Sequence, residues 1–181
     1  MKTLQIIMLL SIVLIGNGCK KSKQTLTIGQ SYQGGIIAYI DQTGQHGLIA
    51  ANQDLPSTAG WGCKGTVMST NVKGYGKGLE NTNKISSLCQ DLGAAKKCFD
   101  LIQDGYSDWF LPSEIELSYL EENLFLANKG NFRTDLPYWS STEVDPSMGA
   151  QALGAWLKIF GGSGLYTDKN GFNLVRPCRY F

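Results

Sequence analysis

The sequence predicts an α+β domain made of small antiparallel sheets, two helices and long loops. Three observations carry that reading. Helix-patterned segments are grouped in the middle of the chain, between residues 84 and 124. Strand-patterned runs cluster after them, between residues 138 and 181. A hairpin precedes both, and its strands are expected to join the terminal strands in one sheet, which brings the two ends of the domain together.

The elements follow in chain order. Lys2 precedes a run from Leu4 to Ile15 in which Gln5 and Ser11 are the only polar residues. The run is short for a membrane span, which needs about 20 residues. Its terminal place, its lysine and its small-residue end read as an export signal over residues 1–18. Cys19 stands where a lipid-modified cysteine would stand, in a setting that resembles a bacterial lipoprotein signal, with Gly16 and Asn17 departing from the usual pattern. A lipid on Cys19 would anchor the chain to a membrane, and residues 19–29, with Lys20, Lys21 and Lys23, read as a polar tether. The expected location is a bacterial outer-membrane lipoprotein, facing the periplasm or the cell surface.

Residues 30–181 are one domain long. From Gln30 onward the chain holds 12 Lys or Arg against 15 Asp or Glu, a formal charge of −3. The globule is mildly acidic and has no basic stripe, which excludes nucleic acid as an expected partner.

Residues 34–40 read as a strand, 41–44 as a turn and 47–51 as the returning strand. His46, the one histidine, sits at the end of that turn with no acid or nucleophile beside it and reads as structural. Residues 52–80 read as a long covered loop. Its run from Gly74 to Gly78 lacks the Gly-Lys-Ser or Gly-Lys-Thr ending of a phosphate-binding loop. Asn81 or Thr82 is expected to cap a helix over 84–103, with Ile85, Leu88, Cys89, Leu92, Ala95, Phe99 and Ile102 as its apolar stripe and Gly93 as a weak point. Gly105 ends it. A second helix is expected after Pro112, where Ser113 and Glu116 form a capping box and Leu117, Leu120 and Leu124 face the core. Strands are expected over 138–142, 152–160 and 172–181, with turns at 161–164 and 167–171. Trp109 and Trp139 read as core. Asp108 reads as bonded to backbone N–H groups or paired with Arg176 or Arg179.

Beyond Cys19, four cysteines remain, Cys63, Cys89, Cys98 and Cys178, which in an exported domain suggests two disulfides. None of their spacings is the short pair of a zinc site. Cys89 and Cys98 on one unbroken helix would lie about 13 Å apart, too far to bond, although a break at Gly93 relaxes that objection. The favoured pairing is Cys63–Cys89 with Cys98–Cys178.

The pieces Gly34-Gly35-Ile36-Ile37, Gly47-Leu48-Ile49-Ala50, the run from Gly105 to Ser113 with Glu116-Leu117, Tyr138-Trp139-Ser140-Ser141, Ala155-Trp156, and Val175-Arg176 with Arg179 occur in an order that resembles the DUF1566 family, the C-terminal domain of the Legionella collagen-like adhesin. That resemblance implies a C-type lectin-like fold. Two positions depart from the family: Phe110 stands where it has arginine, and Cys178 is shifted by one residue, which in a strand reverses its face.

No Ser/His/Asp arrangement, paired reactive cysteines, metal cluster or cofactor loop is visible, so the expectation is a non-catalytic binding module. By resemblance its ligand is a glycan, or a host or matrix polymer. Trp61, Tyr75, Tyr166, Asp168 and Asn170 are the candidate binding residues, because aromatic faces stack on sugars while carboxylates and amides bind hydroxyls. No cofactor is required, but Glu143, Asp145, Asp168 and Asn170 offer the oxygen ligands that calcium prefers. The alternative is a structural envelope component that binds another protein of the envelope or host.

Overall fold

The computed structural model describes residues 25–89 and 91–181. The export signal, Cys19 and most of the tether lie outside them. The described chain is mixed α and β, with two small antiparallel sheets and three α-helices.

The first sheet runs in the order β1 (Ser31–Tyr32), β2 (Gly35–Ile40), β3 (Gly47–Ala51), then β7 (Cys178–Tyr180). The hairpin forms as its turn chemistry predicts: the Asp41 carboxylate accepts from the Thr43 hydroxyl and N–H, and closes the bend. Strand β7 pairs with β3 through Leu48–Tyr180, Ile49–Arg179 and Ala50–Cys178, so the early hairpin and the last strand do share a sheet. The second sheet is β4 (Tyr138–Glu143), β5 (Gly154–Lys158) and β6 (Gly164–Asp168). Strand β6 lies where turns were expected, and the regular part of the last strand is three residues long.

The middle of the chain differs from its predicted form. The expected single helix is two, α1 (Lys77–Leu88) and α2 (Ala94–Phe99). A distant loop crosses the chain at Gly93, within the break. A Cβ there would lie 2.6 Å from both the Gly62 Cα and the Trp61 carbonyl oxygen, so only glycine fits beside the loop that crosses here, and Gly93 takes an extended conformation at the start of α2. Asn81 and Thr82 do not cap α1 but lie buried within it. The Asn81 amide donates to the Val72 carbonyl, and the Leu111 N–H donates to the Thr82 hydroxyl. Splitting the helix also splits its stripe. Ile85, Cys89 and Ala95 are buried, whereas Leu88, Leu92, Phe99 and Ile102 are 62, 70, 47 and 77 % exposed.

Helix α3 (Glu114–Leu120) begins where it was expected, with the complete Ser113–Glu116 capping box, and continues as a π-helical turn, Glu121–Phe125. Leu117, Leu120 and Leu124 are buried with Phe110, Tyr138 and Phe160. A second cluster surrounds Trp61, Leu111 and Trp139, and a third holds Trp109 against Ile37 and Ile49.

The segment around β7 ties these layers together. Arg176 is buried. Its guanidinium donates to Asp54 Oδ1 at 2.7 Å and to the Gly130 carbonyl at 2.7 Å, and lies 4.0 Å from the centre of the Phe132 ring. Arg179 forms a two-pronged pair with Asp108 at 2.7 and 2.9 Å, one of the partners foreseen for that aspartate.

Cys63 and Cys89 form a disulfide, with Cα atoms 5.3 Å apart. The second predicted bridge is absent: Cys98 and Cys178 are buried free thiols. Cys98 packs in the Trp61 cluster and Cys178 in the Phe110 cluster.

Candidate functional site

Three loops meet beside the disulfide. Residues Gly60, Gly62 and Lys64 from the first, Asp91, Leu92 and Gly93 from the second, and Lys169, Asn170 and Phe172 from the third line a cleft of about 300 Å³. Each loop is fastened to another. The Ala94 N–H donates to the Gly60 carbonyl at 2.8 Å, the Trp61 N–H to the Lys169 carbonyl at 3.1 Å, and Ala59 bridges Asn173 in both directions. The Cys63 N–H donates to Asp91 Oδ2 at 3.1 Å next to the disulfide. Glycines form the floor for a steric reason. The loops cross at Gly62 and Gly93 with backbone against backbone, and Gly62 holds φ +112°.

Beneath the floor, Trp61 and Lys169 act as a brace. Trp61 is buried, and its indole N–H donates to the Ser140 carbonyl at 2.7 Å. The Lys169 ammonium lies 4.5 Å from the centre of the Trp61 ring, donates to the Thr66 carbonyl and pairs with the buried Glu143. Glu143 also accepts the Met68 N–H at 2.8 Å and the Thr70 N–H at 2.9 Å. At the rim, Phe172 and Leu92 are 68 and 70 % exposed beside the Lys64 ammonium, the Asp91 carboxylate and the Asn170 amide. The arrangement offers an apolar face flanked by charged and amide groups that can bind hydroxyls. Leu92 is also one wall of an adjoining hollow of about 350 Å³, which Leu55, Leu101 and Ile102 make apolar.

The sequence candidates are divided by this geometry. Asn170 reaches the cleft. Trp61 does not meet a ligand, because its ring is covered and supports the floor from below. Tyr166 and Asp168 are exposed on β6 instead, with Tyr166 edge-on to Trp156 at 5.5 Å. The four proposed calcium ligands do not form one set. Glu143 is engaged by an ammonium and two backbone N–H groups, Asp145 accepts the Ser147 N–H, and Asp168 accepts the Asn170 N–H. Among the described residues no group of three His, Cys, Asp or Glu side chains is placed to hold a metal ion. Phe172, Lys64 and Asp91 are not singled out by the sequence, and Leu92 reads there as part of a buried helix stripe. The signal that pointed toward them was the Trp61-Gly62-Cys63 run, whose cysteine brings residues near 89 to the same place.

Tyr75 belongs to a separate aromatic cluster. Its ring lies 4.9 Å from Tyr39 and 5.5 Å from Tyr180, and Tyr39 stacks on Tyr119 at 4.5 Å. Under these rings sits the buried Glu116, which accepts from the Tyr180 hydroxyl and from the backbone of Gly76 and Ser113. Gly78, in the first turn of α1, packs so closely that a Cβ would fall 2.2 Å from Glu116 Oε2. Burial pushes the Tyr75 hydroxyl up to about 12, with the Glu116 carboxylate adding to it. Burial also pushes the Glu116 carboxyl above its ordinary range, and the donated hydrogen bonds pull in the opposite direction. A carboxyl whose folded pKa is raised binds more protons folded than unfolded between the two values. Its contribution to stability therefore falls as pH rises from the ordinary carboxylate range through the raised one. The Glu116→Gln variant is expected to lose that decline, read as the difference in denaturation midpoint from the parent across a pH series. Parallel profiles would refute the assignment.

Among the described residues no helix is long and apolar enough to cross a membrane. No protein-family model matches the chain, and no curated protein matches it.

Proposed function

We propose that this chain is a non-catalytic binding module of a bacterial envelope lipoprotein, held by a lipid on Cys19, and that it binds a glycan in the cleft between the three fastened loops. A C-type lectin-like fold of the DUF1566 kind is part of the same proposal. The observation that supports it best is the preorganised floor. Backbone contacts, a disulfide and a buried ion pair hold the loops before any ligand arrives, so little ordering is needed on binding. The Phe172 ring offers a face on which the C–H side of a sugar can stack, and Asn170, Asp91 and Lys64 surround it with partners for hydroxyls.

The test is an array of glycans and matrix proteins probed with the full chain, followed by titration of the hits. Binding of a glycan, with roughly a fivefold loss in Phe172→Ala, is the expected result, since one stacked ring is worth on the order of 1 kcal/mol. Glycan binding unchanged in both Phe172→Ala and Asn170→Ala would remove the site from the proposal. Both residues are exposed enough to be changed without opening the core.

A protein-binding role is the second reading, and a specific observation favours it. Leu92 and Ile102 border the adjoining apolar hollow while remaining largely exposed. Silence across the glycans with binding to a protein on the array would move the assignment there.

A further inference from the structure

Strand β6 is the open edge of the second sheet, and we infer that it pairs with β6 of a second copy of this chain, antiparallel and centred on Tyr166. The order β4-β5-β6 leaves one side of Gly164–Asp168 without a neighbour, and all five residues are exposed. Among the described residues, no backbone group from Gly164 to Thr167 hydrogen-bonds outside the β5 ladder. Open edges of this kind template further pairing unless they are blocked, and the usual blocking devices are charged side chains, lysine above all, proline, a very short strand, a bulge or a covering loop. Strand β6 has one charge, Asp168, at its end. The sequence Gly-Leu-Tyr-Thr-Asp contains neither lysine nor proline, and its register with β5 is unbroken over five pairs.

The strand is complementary to itself in this register. A two-fold axis at Tyr166 sets Leu165 opposite Thr167 of the other copy, Tyr166 opposite Tyr166, and Asp168 opposite Gly164. Tyrosine pairs and Leu–Thr pairs suit cross-strand positions, and no like charges oppose each other. Asp168 is the one charged residue of β6. On the same face, Gly164 is the cross-strand partner of Lys158 on β5. The pairing therefore makes a row in which Lys158, Gly164 and the second copy's Asp168 lie side by side. The glycine leaves the lysine, which also holds Glu121 at 2.8 Å, room to approach that carboxylate. The two-fold makes two such rows. Leu165 and Tyr166, 45 and 39 % exposed, each gain a covering neighbour.

Five residues make a short edge, so association is weak, and sedimentation velocity of the full chain must follow a concentration series up to the millimolar range. The expected result is a reversible monomer–dimer equilibrium. The Leu165→Lys variant places like charges diagonally across the axis and is expected to raise the dimer Kd at least about tenfold. Adding Thr167→Asp to it sets opposite charges directly across the strands and is expected to restore the parent Kd. A chain that stays monomeric throughout, or a dimer indifferent to Leu165→Lys, overturns the inference. A single variant that weakens association without rescue in the double variant overturns the register. Circular dichroism of each variant separates loss of pairing from loss of folding.

Discussion

Replacing Lys169 with Met is expected to lower the unfolding free energy by about 3–5 kcal/mol, read as a large drop in the chemical-denaturation midpoint. The magnitude follows from what remains. Both side chains of the Lys169–Glu143 pair are almost completely buried. Removing the ammonium leaves a carboxylate in an apolar layer with two backbone N–H donors and no opposite charge. The Thr66 carbonyl and the face of Trp61 lose their partner at the same time. Adding Glu143→Gln removes the stranded charge but keeps an acceptor for Met68 or Thr70. The double variant should therefore be more stable than Lys169→Met alone. A single variant within about 1 kcal/mol of the parent would mean that the pair is not the brace described above.

Opening the Cys63–Cys89 bridge, by reduction or by paired Cys→Ala changes, is expected to cost about 3.5 kcal/mol from the closure entropy of its loop. The bridge spans 26 residues, and those residues include most of the long irregular segment between β3 and α1. The consequence differs from that of the ion pair. Lys169 supports the cleft from below, whereas the disulfide holds two of its walls together through Asp91 and Gly62. The oxidised and reduced chains should therefore differ in affinity for a cleft ligand even where both remain folded. Equal denaturation midpoints with and without reductant would show that the loop is ordered by its other contacts alone.

The elements legible in the sequence are those decided locally. The hairpin follows from Asp41 and the alternation around it, and the start of α3 follows from Ser113 and Glu116, three residues apart. Trp109 and Trp139 were readable as core because turn residues and strand patterns surround them. What was not legible depends on distant neighbours. Gly93 looks like a weak point within a helix, and in the fold it is where a distant loop, at Gly62, crosses the chain. Leu92 and Ile102 then leave the core because the helix that would have buried them stops. Glu143 and Lys169 are 26 residues apart, and nothing local marks the lysine as buried. Trp61 illustrates the opposite error. An aromatic residue in a glycine-rich loop resembles a ligand platform, yet here a second loop covers it. Phe172 occupies the exposed position at the rim.

The placement of residues 173–180 has a consequence for when the protein can fold. This segment is threaded through the middle of the molecule. It exchanges hydrogen bonds with Ala51, Leu55 and Ala59 on one side and with Phe110 and Trp139 on the other, while Arg176 and Arg179 supply the cations for Asp54 and Asp108. Everything it joins is synthesised earlier. A nascent chain therefore lacks the backbone links and the cations that join its hairpin, helices and second sheet until residues 173–180 have emerged. Such pairing between distant segments delays the stable tertiary structure of the domain until residues 173–180 have been made. A chain carrying an export signal would remain threadable for as long as it is being translocated, and would lock only after its last strand reached the far side.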